Sequence, residues 1–353
     1  MKIASRNFIV ITLLLMLTGC SSLNFYSQAI TGQMNLLFNR RSLDTVLADA
    51  SVNPEIKRKI RVARDVLVFA EEELGLPVGN SYSGFVDTGK RYVIWNVFAA
   101  DEFSVKLSTF CYPIAGCVSY RGFFAEADAR EFAAGLTKEG FDVFVGGVAA
   151  YSTLGWFDDP LLNTFLVRTD EKLAALLFHE LAHKVVYIPG DTRFNESFAT
   201  AVERIALSRW LESRGHPASF EQYLASEQRS RQVRQLIGDT RMRLGEIYRQ
   251  EVGVDEKRAL KQSEIKSLQT SYLKLRNTWG DAGENFTEFK FWMQGDINNA
   301  RLGTVADYND LVPAFQNLYR QQGEDLAAFF QTCEQLGNLP QEARQQQLDQ
   351  LAN

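Results

Sequence analysis

The chain has 353 residues, of which 46% are hydrophobic, the composition of a packed globular protein; a disordered chain is excluded. Its formal net charge is -5, and its basic residues are interleaved with acidic ones rather than gathered into a stripe, so no nucleic-acid partner is expected.

At the amino end, Lys2 and Arg6 accompany an uncharged apolar run from Phe8 to Leu17, too short to span a bilayer comfortably; residues 1–19 read as an export signal. The run ends in Leu17-Thr18-Gly19-Cys20, which resembles the lipobox of bacterial lipoproteins. That resemblance implies cleavage before Cys20, diacylation of its sulfur, and a body of residues 20–353 tethered to a membrane by lipid. Ser21 and Ser22 follow, with no Asp after the cysteine, which in the resemblance favours the outer membrane and a periplasm-facing body. An ordinary signal peptide with an incidental cysteine is the other reading.

From Phe25 to Leu76 apolar residues recur at helical intervals, as in Val62, Val66, Phe69 and Leu74, so residues 20–90 form a helical N-terminal region that Pro77 and Gly79 bring to an end. Residues 91–168 mix strands with helices. Tyr92 to Phe98 is β-branched and aromatic, Cys117 to Tyr120 and Phe141 to Val145 are further strand candidates, and a helix spans Glu126 to Thr137. Pro113 and Gly116 allow a turn that brings Cys111 and Cys117 together. A disulfide is expected there in an oxidising compartment, against the alternative of two small core residues. Residues 169–215 carry the chemistry, and residues 216–353 are helical. Within them, polar-faced helices over Ser219 to Glu251 and Asp255 to Trp279 form a hairpin, with a solvated face or a partner-binding arm as its uses. The Gln-rich tail, Gln341 to Asn353, reads as a frayed helix end.

Within residues 169–215, Thr169 or Asp170 can cap a helix that includes His179-Glu180-Leu-Ala-His183 and stops by Pro189-Gly190. Positions four apart share a helix face, so the two imidazoles can meet one ion. Glu180 is rotated to the edge of that face, where its carboxylate can reach a water without ligating the metal. This is the geometry of zinc hydrolases, and it points to Zn2+ as cofactor and Glu180 as base. A catalytic zinc needs a third ligand. The turn at Pro189-Gly190-Asp191 returns the chain as a second helix with Asn195 as a candidate N-cap, which brings Glu196 back towards the imidazoles. Glu196 is the expected ligand, Asp191 a weaker candidate, and Glu203 is placed to orient a histidine from behind. Without a metal, Glu196 would simply favour the helix N-terminus.

The strings His179-Glu-Leu-Ala-His183 and Asn195-Glu196-Ser-Phe-Ala resemble the gluzincin superfamily of metallopeptidases, although common gluzincin spacing would put the third ligand nearer Glu203. FHELAHKVVYIPGDTRFNESFAT, the upstream YSTLGWFDDP and the lipobox together resemble a family of bacterial proteins catalogued as putative aminopeptidases, over most of the mature chain. The resemblance implies peptide or protein substrates, zinc on His179, His183 and Glu196, and the base role for Glu180. It also suggests a tyrosine in support, with Tyr151 and Tyr308 as candidates. The small-residue stretch Gly146 to Thr153 could pair with extended substrate or be a packed loop. The Gly-x-Met-Glu-Asn string with which aminopeptidase gluzincins hold a free amine is absent; Asp158 and Asp159 are conceivable substitutes, or simply a turn before Pro160.

The expected fold is therefore α+β and mostly helical, with a small sheet beside a helical zinc-metallopeptidase core. The expected activity is aminopeptidase. The alternatives are an endopeptidase of the same mechanism, or a non-catalytic envelope lipoprotein with a structural zinc.

Overall fold

The computed structural model describes residues 20–112, 116–150, 158–305 and 309–352. The signal and lipobox residues 1–19 lie outside this range, and Cys20 opens α1 (Cys20–Phe38).

Two short elements follow, β1 (Arg41–Ser42) and α2 (Leu43–Ala48), before the long helix α3 (Pro54–Glu72). Asn53 caps α3 by accepting from the Glu55 amide, and Pro54 occupies its first turn, where no amide hydrogen is needed. Ile60, Ala63, Val66, Leu67 and Ala70 then fall on one buried face at helical spacing. The region 20–90 is not wholly helical as expected, because β1 pairs antiparallel with β2 (Gly84–Val86), which pairs parallel with β8 (Leu161–Leu162). These strands have too few residues to register as alternation in sequence.

A second sheet is built from β3 (Ile94–Ala100), β6 (Arg121–Phe123) and β7 (Asp142–Val148), in the order β6-β3-β7 with both pairings antiparallel. Its strand β3 starts later than expected. Tyr92 stays out of the strand and lays its ring over Gly147, where an added Cβ would fall 2.2 Å from the ring. Between β3 and β6 the hairpin of β4 (Phe110–Tyr112) and β5 (Gly116–Val118) is closed by the Cys111–Cys117 disulfide, whose residues are directly paired. The run expected as a strand from Cys117 to Tyr120 is strand only at Cys117 and Val118, in β5; Ser119 and Tyr120 form the bend that leads into β6. Helix α4 (Glu126–Lys138) covers one face of the sheet, with Ala129 and Ala133 against Val97 and Phe123.

The rest is helical: α5 (Asn163–Leu166), α6 (Asp170–Ala182), α7 (Thr192–Ser213), α8 (Pro217–Tyr248), α9 (Val254–Thr278), α10 (Asp281–Asn285), α11 (Lys290–Gln294), α12 (Asn299–Gly303), α13 (Val312–Gln321), α14 (Leu326–Gly337) and α15 (Gln341–Ala352). The main core joins α3, α6, α7, α13, α14 and α15, with Leu173, Leu177, Phe178, Phe194, Phe198, Phe315 and Phe329 fully buried. The α8–α9 hairpin encloses a second core of Val233, Ile237, Leu244, Leu268, Tyr272 and Met293, so it is more than a solvated arm. The tail is not frayed. Helix α15 packs against α13, Asn317 donates to the Leu351 carbonyl, and Arg344 is buried against Asp191.

Candidate metal centre

Helix α6 begins where Thr169 accepts from the Lys172 amide, and its first turn carries Asp170 and Glu171, which suit the positive end of the helix dipole. Asp170 is held in turn by Arg58 and the buried Lys59, both on α3, so the start of α6 is fixed to the core. Burial of Leu173, Leu177, Phe178 and Leu181 fixes the rotation of α6. That rotation brings His179 and His183 together, with their ring centroids 4.9 Å apart.

Helix α7 returns antiparallel to it. Asp191, rather than Asn195, caps α7 by accepting from the Phe194 amide. Its other oxygen meets the Arg344 guanidinium at 2.6 Å, so Asp191 is committed to α15 and is not brought to the imidazoles. Asn195 lies inside the helix, where its amide exchanges two hydrogen bonds with the backbone of Ile188, each 2.8 Å, and closes the turn between α6 and α7. Glu196 is thereby set opposite the histidines. Its carboxylate oxygens lie 3.3 Å from His179 Nε2 and 3.7 Å from His183 Nε2. One donor atom from each of the three residues lies within 4.8 Å of the others.

Those separations can be tested against a metal. Tetrahedral zinc with bonds near 2.1 Å puts its ligand atoms roughly 3.4 Å apart, close to the two Glu196 distances. Behind the site, His179 Nδ1 lies 3.0 Å from Glu203 Oε2, and the Tyr223 hydroxyl donates to Glu203 Oε1 at 2.5 Å. With Nδ1–H donating to Glu203, Nε2 is the nitrogen that faces Glu196 and His183, and it would give up its proton to a metal bound there. His183 Nδ1 is buried with no hydrogen-bond partner among the described residues. Residue types, distances and tautomer fit a divalent ion.

Electrostatics point the same way. Burial works to lower the pKa of His179, but Glu196 and Glu203 outweigh it and hold the imidazolium up to about 10. Burial and the neighbouring His179 push His183 down to about 4. Burial works to raise the pKa of Glu196, yet hydrogen bonding to His179 takes it below its ordinary value. Two carboxylates flanking one imidazole call for positive charge here, which a divalent cation would supply.

Glu180, half-buried on the edge of the histidine face, borders a turn that the sequence did not single out. Four positions along from it, Lys184 donates to the Val78 carbonyl and the Ser81 hydroxyl, joining the end of α6 to residues 78–83. In that turn Tyr82 has φ 61°, a left-handed conformation costly for an aromatic residue and typical of functional sites. The Tyr82 amide donates to the Asp159 carbonyl at 2.7 Å. Burial, then the nearby charges of Glu180 and Asp159, hold the Tyr82 phenol well above its ordinary pKa. Asp159 is itself buried, with Lys184 as a charged neighbour to it and to Asp158. Nothing local marks Tyr82 in sequence, because both its contacts and its φ depend on distant segments.

Tyr151 and Tyr308 lie outside the described residues, as does the end of the small-residue stretch at Thr153. Gly146, Gly147 and Val148 form the end of β7, an edge strand. The segment just beyond Tyr308 is fixed to α7: the Thr200 hydroxyl donates to Asn309 Oδ1, and the Leu311 amide donates to Ser197.

Fold and site together define a mostly helical α+β protein with a candidate three-residue metal centre on an antiparallel helix pair. Residues 24–348 match the family described as "Putative aminopeptidase", and the chain belongs to that family. No curated protein and no solved structure matches it.

Proposed function

We propose that this chain is a zinc-dependent peptidase of the bacterial envelope, acting on the amino ends of peptides or proteins and tethered through lipid on Cys20. The observation that carries the reading is the convergence of His179, His183 and Glu196 on one point beside Glu180. The family to which the chain belongs supports the choice of peptide substrates.

His179, His183 and Glu196 would hold the metal. Zinc bound there supplies Lewis-acid polarisation of a carbonyl and acidifies water. Glu180 takes the proton from the attacking water and returns it to the leaving amine. Glu203, itself held by Tyr223, keeps the proton of His179 on Nδ1. Lys184 ties the end of α6, one turn beyond Glu180, to the turn that carries Tyr82.

One observation favours internal cleavage as a second reading. Asp159, a candidate for holding a free amine, is buried with Lys184 already among its charged neighbours. A peptide and its N-acetylated twin separate the two. Stepwise shortening of the free peptide alone supports an aminopeptidase, and internal cuts in the blocked peptide replace it with an endopeptidase.

The central test is metal content and peptide hydrolysis of the wild type beside Glu196→Ala and Glu180→Gln. Wild type should hold about one zinc per chain, Glu196→Ala should lose most of it, and Glu180→Gln should keep it while turnover falls about 10²–10⁴-fold. Wild-type turnover by Glu180→Gln removes the base assignment. Bound zinc with no hydrolysis by wild type leaves a non-catalytic lipoprotein.

A further inference from the structure

Helix α1, CSSLNFYSQAITGQMNLLF, contains no charged residue over its whole length. It is attached to the body along one line. Gln28 donates to the Gly122 carbonyl and accepts from the Phe124 amide, Gly32 lies against the Phe124 ring, and Leu36 is buried in the main core. These positions are four apart and follow one face of the helix.

At about 100° per residue, Ile30, Met34 and Phe38 follow a parallel line roughly 200° away, on the opposite side of the helix. They are 63%, 40% and 77% exposed. Surface helices of water-soluble proteins turn charged or polar residues to solvent. This one turns an apolar line outward, beside a line of uncharged polar residues, Ser27, Thr31 and Asn35.

We propose that the Ile30-Met34-Phe38 face of α1 lies on the surface of the lipid bilayer, with the body of the protein carried on the helix's other side. The inference rests on the lipid-anchor reading of Cys20, which is the first residue of the same helix. At 1.5 Å per residue, Ile30 and Phe38 sit about 15 and 27 Å along the axis from the acylated position, within reach of the same membrane surface. No helix among the described residues is long and apolar enough to cross a membrane; in the proposed arrangement α1 lies along the bilayer. A second copy of the chain is a poor occupant. Three side chains offer roughly 300–400 Å2, well short of the about 800 Å2 per partner of a stable interface.

The arrangement also orients the active end of the molecule. Arg40, just past α1, donates to the carbonyls of Asp158 and Asn80 and to the Ser83 hydroxyl. The bilayer-facing helix therefore leads directly into the turn that carries Tyr82. The metal centre is held at a fixed attitude to the membrane rather than swinging on a tether.

The test uses the chain from Cys20 onward, unacylated, which contains every described element, with vesicles of phosphatidylethanolamine and phosphatidylglycerol at about 3:1 as probe; the binding expected is that of an interfacial amphipathic helix. This chain should float with the vesicles, and Ile30→Ser/Met34→Ser/Phe38→Ser should lower its partition coefficient at least about tenfold with an unchanged unfolding midpoint. Val167→Ser, at an exposed apolar position elsewhere (84% exposed), should leave partition unchanged. Equal flotation of wild type and the triple variant overturns the proposal, as does failure of the wild-type chain to float. Self-association that the triple substitution abolishes, without vesicle binding, replaces the bilayer with a second copy. Incorporation of labelled fatty acid at Cys20 in cells is scored separately, so an incorrect anchor reading is distinguished from an incorrect docking face.

Discussion

The two cores of this protein treat buried polar groups differently. Around the candidate metal centre most of them are joined into pairs that tie segments together: Asp191 with Arg344, Asn195 with Ile188, Asp170 with Lys59, and Glu203 with both His179 and Tyr223, whereas His183 Nδ1 has no hydrogen-bond partner among the described residues. Beneath the α8–α9 hairpin, the Ser230 and Tyr272 hydroxyls are buried with no hydrogen-bond partner among the described residues. A metal site, as proposed here, would have to hold three ligand atoms within tenths of an ångström and so needs supports that cannot slide; paired polar groups supply direction that apolar packing does not. The second core has tying pairs of its own, Lys261 with Asp142 and Tyr248 with Asn299, but at Ser230 and Tyr272 packing alone places the side chain. Substitutions that remove a polar group should therefore act very differently in the two places.

The largest effect is expected at Arg344. Its guanidinium is buried against Asp191, which caps the ligand-bearing helix α7, and it also donates to the Leu339 carbonyl. Arg344→Ala leaves a carboxylate without its partner in a dry environment, at about 3–5 kcal/mol of stability. A shift of the urea midpoint equivalent to less than about 1 kcal/mol would show that the C-terminal helix does not support the site.

Next comes Glu203. In the proposed centre Glu203 would act through His179 and not on the metal, so Glu203→Ala should weaken zinc binding about 10–100-fold without abolishing it. Competition with a chelator measures this, and an unchanged affinity would leave Glu203 a packing residue. Tyr223→Phe, which removes the hydroxyl from Glu203, should weaken zinc binding by less than Glu203→Ala does.

These residues also show what a sequence can carry. The His179-Glu180-x-x-His183 spacing encodes its own geometry, because a helix converts a separation of four into one face. Glu196 was legible because a short turn and a bounded second helix leave few places for it to go. Asn195 was misread as a cap: Asp191 already satisfies the first-turn amide, which frees the Asn195 amide to close the turn on Ile188. Tyr223 and Arg344 were not legible as parts of the site. Each belongs to a polar helix with a solvated pattern, and its partner is 20 or 153 residues away. Strand β3 was legible as a strand but not in its start, because the Tyr92 ring sits over a glycine in a strand some 50 residues further on.

A smaller effect is expected at Tyr82, which tests whether the paired network extends to Glu180, the proposed base. Tyr82→Phe keeps the ring and its left-handed backbone but removes the hydroxyl beside Glu180. Loss of this polar neighbour should lower kcat by no more than about five- to tenfold, the worth of a single polar contact, with KM and zinc content unchanged. A fall in zinc content instead would place the effect on the ligands rather than on Glu180.

The smallest effect belongs to the second core, and it is the sharpest test of the contrast. Tyr272 lies in α9, buried against the hairpin, with a hydroxyl that finds no hydrogen-bond partner among the described residues, while burial holds its pKa above the ordinary value. That hydroxyl was solvated in the unfolded chain, so folding costs its desolvation and returns no hydrogen bond. Tyr272→Phe removes the cost and keeps the ring in place. Stability should change by less than about 0.5 kcal/mol or rise slightly, and zinc content and turnover should be those of the wild type. If the substitution destabilises the protein by about 1 kcal/mol or more, the hydroxyl has a partner such as an ordered water. Tyr272 would then be tied by a polar contact as the residues around the candidate metal centre are, and the contrast between the two places would fail.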